Sequence, residues 1–424
     1  MTDQITVLII GTYDTKSDEL RYLEERIQSQ GAMTISMDVS VLGNPAKPTN
    51  ISKHDVADAA QSSIAAAIES GDENSAMQIM ARGSAVLTAS LYKASKIDAM
   101  IAMGGTMGTD LALDCARELP MGVPKFIIST VAFSPLIPPD RLSADIQMIL
   151  WAGGLYGLNS LCKSSLSQAA GSVVGAARAV EPPNTSLPVI GMTSLGSSCL
   201  SYMKLLKPAL EQRGFEVAIF HATGMGGMAF EKIVSEGGFV AVMDFGLSEI
   251  GNLFAGSLIN SGESRLRSAA AAGVPQIVAP GCLDLVDFAG WQDIPDRFAD
   301  RPFHAHNRLV KCAAFNDDER RQTARFVAER LADAVGPTHF ILPNKGIEAW
   351  DVEGEPAYDP EGLAAFCDEI RKVMVPPITL HDLDAHINDQ QFADTALAIL
   401  DSWIADGTVS MTPHQHPQSF QIKA

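Results

Sequence analysis

The sequence predicts an α/β protein made of two doubly wound, mostly parallel, Rossmann-like domains. Short apolar runs alternate along the chain with longer segments of helical periodicity. Strand–helix–strand repetition requires parallel strands joined by right-handed crossovers, which gives an open α/β sheet. The apolar runs are continuous rather than alternating, as expected of strands covered on both faces. With 424 residues, of which 46% are hydrophobic, the chain is too long for one ordinary core.

The first half contains a regular series of these units. The run ITVLII at 5–10 predicts the first strand, which ends at a glycine. Apolar residues at helical spacing predict a helix over 17–30, which ends at another glycine. The remaining elements predicted for this half are strands at 32–39, 98–103 and 125–130 and a helix over 110–118.

A similar order recurs after the sequence Glu-Pro-Pro-Asn at 181–184, where we place the domain boundary. The predicted domains are 1–182, which is Rossmann-like, and 185–410, followed by a polar C-terminal tail at 411–424. The two halves are either a duplication or a convergence on the same local rules. Predicted elements of the second half are strands at 187–190, 217–221, 239–244, 338–342 and 378–380 and helices at 199–212, 360–373 and 389–404.

Charge and composition exclude several kinds of partner. Lys and Arg number 31 against 50 Asp and Glu, a formal charge of -19. Neither a nucleic-acid duplex nor an anionic membrane suits so acidic a chain. No apolar run reaches the roughly 18 residues of a membrane span. Six scattered cysteines without a C-x-x-C motif indicate reduced, buried thiols, so we expect a cytoplasmic protein with no nucleic-acid or membrane partner.

The loop GTYDTKS at 11–17 follows the first predicted strand. It has the spacing between glycine and Lys-Ser of a Walker A loop, but Thr15 occupies the place of the second glycine. A glycine, hydroxyl donors, Lys16 and free N–H groups at a helix start suit an anion. Equally, the loop is an ordinary turn in which Thr15 or Ser17 caps the helix and Lys16 is solvated.

The loop GGTMGTD at 104–110 follows another predicted strand and has three glycines within five residues. Such a cluster marks close approach of a ligand or of other backbone, and we favour a ligand. Hydroxyls at the end of the next strand extend the same crevice, and Asp14 or Asp110 is a candidate to hold Mg²⁺ through water. The candidate ligand-binding residues are Gly11, Thr12, Asp14, Thr15, Lys16, Gly104, Gly105, Thr106, Gly108, Thr109, Ser129 and Thr130.

The second half carries polar loops that a scaffold alone would not need. The segment HATGMGG at 221–227 follows a predicted strand, and HAHN at 304–307 places two histidines on one face of a strand. Each segment also has an alternative without a catalytic role. The first is an interdomain contact, and the second is a pair of histidines bonded to backbone carbonyls. There is no G-x-S-x-G elbow and no H-E-x-x-H helix. The catalytic candidates are His221, Glu231, Asp284, His304 and His306.

The segments VLIIGTYDTKSDEL, AMGGTMGTDLA, PKFIISTVAF, GMTSLGSS, HATGMGG and HAHN occur in this order. Together they resemble the tomato-mosaic-virus-resistance-protein-like ATP-binding family over nearly the whole chain. The resemblance implies that ATP, with Mg²⁺, is held by the loops at 11–16 and 104–109. It also implies a homodimer. In the family a Met-Arg-Thr usually follows the His-Asn pair, whereas this chain has Lys311-Cys312-Ala313.

The leading hypothesis is therefore an ATP-binding, regulatory two-domain protein. The alternative is a metal- or nucleotide-dependent hydrolase, lyase or ligase with its active site in the interdomain cleft. The plant member of the family continues into a TIM barrel resembling phosphoenolpyruvate hydrolases. On the resemblance alone, a separately encoded barrel protein of that kind is a candidate partner.

Overall fold

The computed structural model describes residues 4–181, 186–301, 303–304, 307–355 and 357–412. The chain divides into two compact units, which among these residues are 4–181 (unit 1) and 186–412 (unit 2). Each unit contains a parallel sheet covered by helices. The predicted α/β fold class, with two doubly wound, mostly parallel sheets, is confirmed.

The elements of unit 1 alternate between strand and helix along most of the chain. Its strands are β1 (Thr6–Gly11), β2 (Met33–Asp38), β3 (Ala99–Gly104), β4 (Lys125–Ser129) and β5 (Gln147–Leu150). Its helices are α1 (Ser17–Gln28), α2 (Lys53–Ala59), α3 (Ile64–Glu69), α4 (Glu73–Lys93), α5 (Thr106–Arg117) and α6 (Ser160–Ala179).

The unit 1 sheet has the order β2-β1-β3-β4-β5, and all of its pairs are parallel. Alternate residues of β1 point to opposite faces. Val7 and Ile9 pack with α1 and α6 on one face, while Leu8 and Ile10 pack with α2, α4 and α5 on the other. Burial on both faces explains the uninterrupted apolar run that predicted this strand.

Unit 2 has more elements than unit 1. Its strands are β6 (Val189–Ser194), β7 (Glu216–His221), β8 (Ala241–Gly246), β9 (Gln276–Gly281), β10 (Leu285–Ala289), β11 (Phe303–His304), β12 (Val310–Ala314), β13 (Thr338–Pro343) and β14 (Thr379–Leu383). Its helices are α7 (Leu200–Gln212), α8 (Met225–Ser235), α9 (Ser248–Ala255), α10 (Ser268–Ala272), α11 (Asp317–Leu331), α12 (Pro360–Val373) and α13 (Gln390–Ala405).

The main sheet of unit 2 is parallel and has the order β14-β13-β9-β8-β6-β7. Its first four strands in sequence, β6 to β9, are therefore arranged as β1 to β4 are in unit 1. Helices α7 and α13 cover one face, and α8, α9, α11 and α12 cover the other. A small antiparallel sheet, β10-β12-β11, is an addition that the sequence did not predict.

Most predicted elements are present with ends shifted by one to three residues, and the helix predicted at 360–373 is exact. The segment 53–93, for which nothing was predicted, forms α2, α3 and α4. All six cysteines are buried and free, as expected. None of the helices in the described ranges combines the length and hydropathy that crossing a bilayer requires. Nearly all of the predicted polar tail lies outside the described residues.

Candidate functional site

A cavity of about 660 Å³ lies at the carboxyl end of the unit 1 sheet. The chain runs from β1 to β2 on one side and then to β3 on the other side of β1. In doubly wound sheets such a switch in direction opens a crevice between the two loops. The loops after β1 and β3 both line this cavity, so the structure brings together the two glycine loops identified in the sequence.

The loop after β1 leaves the start of α1 uncapped. Helix α1 begins at Ser17, and its N-cap residue, Lys16, makes no side-chain capping bond. The expected alternative, a turn capped by Thr15 or Ser17, is therefore wrong. Lys16 Nζ instead lies 3.3 Å from Thr15 Oγ1 and 3.5 Å from Thr12 Oγ1, and the two hydroxyls are 3.1 Å apart. A cation and two hydroxyls thus line the cavity directly before the start of α1, whose first N–H groups have no capping side chain.

Two side chains outside the glycine loops, together with Asp14 of the first loop, fix the position of this loop. Asp38 is buried at the end of β2, and its Oδ1 accepts a hydrogen bond from Tyr13 N at 3.1 Å. Asp14 Oδ2 accepts one from Gly43 N, also at 3.1 Å. Lys53 Nζ donates to the Gly43 carbonyl at 2.7 Å and so holds the facing loop. Sequence reasoning missed Asp38 and Lys53, because nothing local marks a partner so distant along the chain.

The loop after β3 also ends at an uncapped helix. Helix α5 begins at Thr106, and its N-cap residue is Gly105, which has no capping side chain. A Cβ atom added at Gly104 would lie 2.6 Å from Gly108 Cα, so this pair permits close packing of α5 on β3. At Gly105 the nearest atom to such a Cβ would be Thr130 Oγ1 at 3.8 Å. Protein packing therefore explains Gly104, whereas a Cβ atom at Gly105 or at Gly108 would meet no atom closer than 3.5 Å.

Several predicted site residues support the loops from behind and do not line the cavity. A Cβ atom at Gly11 would meet Leu20 at 2.8 Å, so that glycine allows α1 to pack on β1. The hydroxyls of Thr109 and Ser129 are buried and bond to each other at 2.7 Å. Thr130 N donates to the Gly104 carbonyl at 3.3 Å. Asp110, a Mg²⁺ candidate, forms an ion pair with Arg141 at 2.7 Å.

The rest of the cavity wall is mostly apolar and comes from the end of β2 and from α3, α4 and α5. Among the described residues that line the cavity, Lys16 is the single cation, and Asp14, Asp72 and Glu73 are the carboxylates. The cavity therefore has a polar floor at two helix N-termini and an apolar wall above it. The apolar lining residues are Val39, Val41, Leu42, Ala67, Ile68, Ala76, Met77, Met80, Met107 and Leu111.

In unit 2, the candidate Glu231 belongs to a buried ion network. Its Oε2 accepts from Ser268 N at 3.0 Å, and its Oε1 lies 3.3 Å from Arg265 Nη1. Arg265 is fully buried and also pairs with Asp244 and Glu249. Burial raises the pKa of Glu231 against the lowering effect of Arg265. These bonds give Glu231 a structural role in holding α8 to the segment before α10.

His221 and Asp284 do not line a common cavity among the described residues. His221 is exposed and lines a second cavity, described below. Asp284 is buried, and Arg320 Nη1 lies 3.9 Å from its Oδ2, beyond hydrogen-bond distance. Burial raises the pKa of Asp284. The His304 side chain and the whole of His306 lie outside the described residues. Within the described ranges, no three His, Cys, Asp or Glu side chains converge on a position suited to a metal ion.

These observations define a class: a two-unit, doubly wound α/β protein with a ligand-sized cavity at the switch point of its first sheet. Family models give the particular identity. The N-terminal domain of the Uncharacterised protein family (UPF0261) matches residues 5–182, and its C-terminal domain matches 187–404. The chain belongs to this family.

Similar proteins occur in bacteria and in a plant. A UPF0261 protein of Brucella suis biovar 1 is 53% identical over 96% of this chain and 98% of its own length. One from Clostridium tetani is 34% identical over 91% of this chain and 96% of its own. The ToMV resistance protein Tm-1(GCR237) of Solanum lycopersicum is 29% identical over 94% of this chain and 55% of that protein. The resemblance inferred from the motifs is confirmed.

Two solved structures illustrate a distant likeness. MurG of Acinetobacter baumannii is 10% identical and aligns over 98% of this chain and 96% of its own, with a TM-score of 0.20. A Streptomyces glycosyltransferase, SsfS6, is 14% identical over 66% of this chain and 83% of its own, with a TM-score of 0.17. The fold assignment above rests on strand order and core packing, not on these alignments.

Proposed function

We propose that unit 1 binds a nucleoside triphosphate, ATP with Mg²⁺, in the cavity at its switch point. The observation that carries this proposal is the meeting of two uncapped helix N-termini and one lysine at a single cavity of about 660 Å³. Sites of this volume are typical for cofactors. The family resemblance supports ATP among the possible phosphorylated ligands.

The phosphates would lie on the polar floor. Helices α1 and α5 each have 12 residues, and neither has a side chain on its first N–H groups. Each N-terminus carries about half a positive charge, and the free N–H groups point along the helix axis toward an anion. Lys16 adds a full charge, and the Thr12 and Thr15 hydroxyls beside it are further donors. Phosphate binding here does not depend on the net charge of the chain.

The apolar wall suits the base. Met77 and Met80 of α4 lie with Ile68 and Val41 along the cavity, and methionine adapts its shape to a flat ring.

One carboxylate oxygen at the cavity suits Mg²⁺. Asp14 Oδ1 is buried and has no hydrogen-bond partner among the described residues, while Oδ2 is held by Gly43 N. Asp14 would hold the ion, which keeps most of its oxygen ligands from phosphates and water. The bound ion would neutralise phosphate charge.

Replacing Lys16 by alanine is expected to raise the Kd for ATP at least about tenfold, because one charge-assisted hydrogen bond to phosphate contributes about 1.5–3 kcal/mol. The fold should be unaffected, because the Lys16 side chain is partly exposed and its hydrogen bonds with described residues go to the Thr12 and Thr15 hydroxyls. Calorimetric titration with ATP and Mg²⁺ measures the change.

Lys96→Ala is the matched control, because Lys96 is exposed in the same unit and does not line the cavity. Its Kd for ATP should equal that of the wild-type chain. Adenosine provides a second comparison: Lys16→Ala should leave its affinity unchanged. Equal ATP affinity in Lys16→Ala and the wild type would contradict the assignment.

A regulatory role, a homodimer and a TIM-barrel partner are further proposals that rest on the family resemblance. If nucleotide regulates assembly, the elution volume in size-exclusion chromatography should change when ATP and Mg²⁺ are added. An unchanged volume would argue against regulation through assembly while leaving nucleotide binding intact.

A further inference from the structure

Unit 2 has its own cavity, of about 500 Å³, at the carboxyl end of its main sheet. Leu195 and Gly196 follow β6, His221 ends β7, Ser248 follows β8, and Cys282 follows β9. Because β6, β7, β8 and β9 are ordered as β1 to β4 are, this cavity occupies the position in unit 2 that the proposed nucleotide site occupies in unit 1. Its volume is within the range of small-molecule sites.

The chemistry of the lining differs from that of unit 1. Among its described residues there is no lysine or arginine, and Asp287 is the single carboxylate. The imidazole of His221 is also present. The remaining polar lining groups are the hydroxyls of Ser197, Ser198, Thr223 and Ser248 and the amide of Asn307. Groups of this kind donate to and accept from hydroxyls, but they provide little charge to balance a phosphate.

Asp287 is held in a fixed orientation. Asn252 is fully buried, and its Nδ2 donates to Asp287 Oδ2 at 2.9 Å while its Oδ1 accepts from Asp287 N at 2.7 Å. Ser257 Oγ donates to the backbone carbonyl of Asp287. An acceptor so constrained loses little entropy when it binds a ligand. This support is more than a surface aspartate on a short strand needs.

The lining also has apolar and aromatic members, which are Trp350, Ile259, Leu309 and Val310. A sugar presents C–H groups on its ring faces and hydroxyls at its edge, so it suits a lining that combines apolar and aromatic side chains with hydroxyl-binding groups. We propose that this second cavity binds an uncharged, polyhydroxylated compound of monosaccharide size, with Asp287 as its principal acceptor.

The test is calorimetric titration of the full chain with D-glucose, D-mannose, D-ribose and mannitol as uncharged probes. Inorganic phosphate and choline are the charged comparisons. At least one uncharged probe should bind more tightly than either ion. Asp287→Asn should raise the Kd for that uncharged probe about tenfold, because the hydrogen bond from the probe to a charged acceptor is lost. Thr223→Val, an exposed and nearly isosteric change, should raise it severalfold.

Asp293→Asn is the matched control, because it removes the same charge from an exposed position that does not line the cavity. The Kd of Asp293→Asn for the uncharged probe should match that of the wild-type chain. The Kd of Lys16→Ala for the same probe should also match it, since the two cavities lie in different units. Thermal unfolding of each variant shows that the fold is retained. Preferential binding of phosphate or choline, or binding of none of the probes at millimolar concentration, would overturn the proposal.

Discussion

Replacing Arg265 by methionine is expected to destabilise unit 2 by about 3–5 kcal/mol. The guanidinium is fully buried and binds Asp244 through both terminal nitrogens, and its Nε donates to Glu249 Oε2 at 2.7 Å. Glu231 is the third carboxylate of the network. One cation therefore serves three buried acids, and its removal leaves all of them without a counter-charge.

Urea denaturation followed by tryptophan fluorescence measures the loss, since Trp291, Trp350 and Trp403 all belong to unit 2. Arg267→Met is the matched control two residues away. Its side chain is 40% exposed and lies 3.6 Å from Glu329, so the change should cost less than about 1 kcal/mol. If the two variants had equal denaturation midpoints, the network would not be holding the unit together.

The network also connects to the second cavity. Glu249 Oε1 accepts from Gly224 N at 2.6 Å and from Gly227 N at 3.0 Å, so it fixes the loop that follows His221. A Cβ atom at Gly227 would lie 1.8 Å from Glu249 Oε2, which explains the glycine. The glycines of HATGMGG thus reflect close packing, at Gly227 around a buried carboxylate, whereas His221 and Thr223 of the same segment line the second cavity.

The fold was predictable because its signal is local. Burial on both faces produces uninterrupted apolar runs such as 5–10, and each was identified as a strand from its own residues. Helices α2 and α3 gave no prediction because they have only 7 and 6 residues, too short for a clear period. The 21-residue helix α4 was also missed, and shortness does not explain that. The pairing of β10 with β12 depends on contacts across a long loop, which sequence periodicity does not report.

The residues that line the unit 1 cavity were predictable where they are consecutive in the sequence. Thr12, Thr15 and Lys16 lie on one loop and were identified together, and the second glycine loop followed from the same rule. Asp38 and Asn252 act through partners distant in sequence, so no local motif could reveal them. Glu231 was chosen as a catalytic candidate because its helix follows a glycine loop. The sequence does not show that Arg265 folds back onto it.

Stability of unit 2 is expected to fall as the pH rises from about 6 to 9, chiefly because of Glu348. Its carboxyl group is fully buried, and burial, together with the charge of nearby Asp284, raises its pKa to about 9. Burial and Asp284 likewise raise the pKa of Asp351 to about 7. In this pH range the folded chain retains protons that the unfolded chain has released. Folding therefore takes up protons, and the free energy of unfolding falls as the pH rises.

Opposing groups do not cancel this effect. Arg320 lowers the pKa of Asp284 and Asp351, whereas the largest effects on the pKa of Glu348 come from burial and from Asp284. The Trp350 N–H donates to Glu348 Oε2 at 2.9 Å and favours the ionised form, yet burial and the neighbouring acids outweigh it. Each proton that the folded state retains contributes a slope of about 1.4 kcal/mol per pH unit.

Glu348→Gln should reduce the dependence of the urea midpoint on pH between 6 and 9, because the amide keeps the shape and the acceptor for Trp350 N but does not titrate. Glu353→Gln, at an exposed position in the same segment, should leave the wild-type slope unchanged. Parallel profiles for wild type and Glu348→Gln would mean that Glu348 is ionised in the folded chain. In that case Asp284, Glu348 and Asp351 would need a counter-charge other than Arg320.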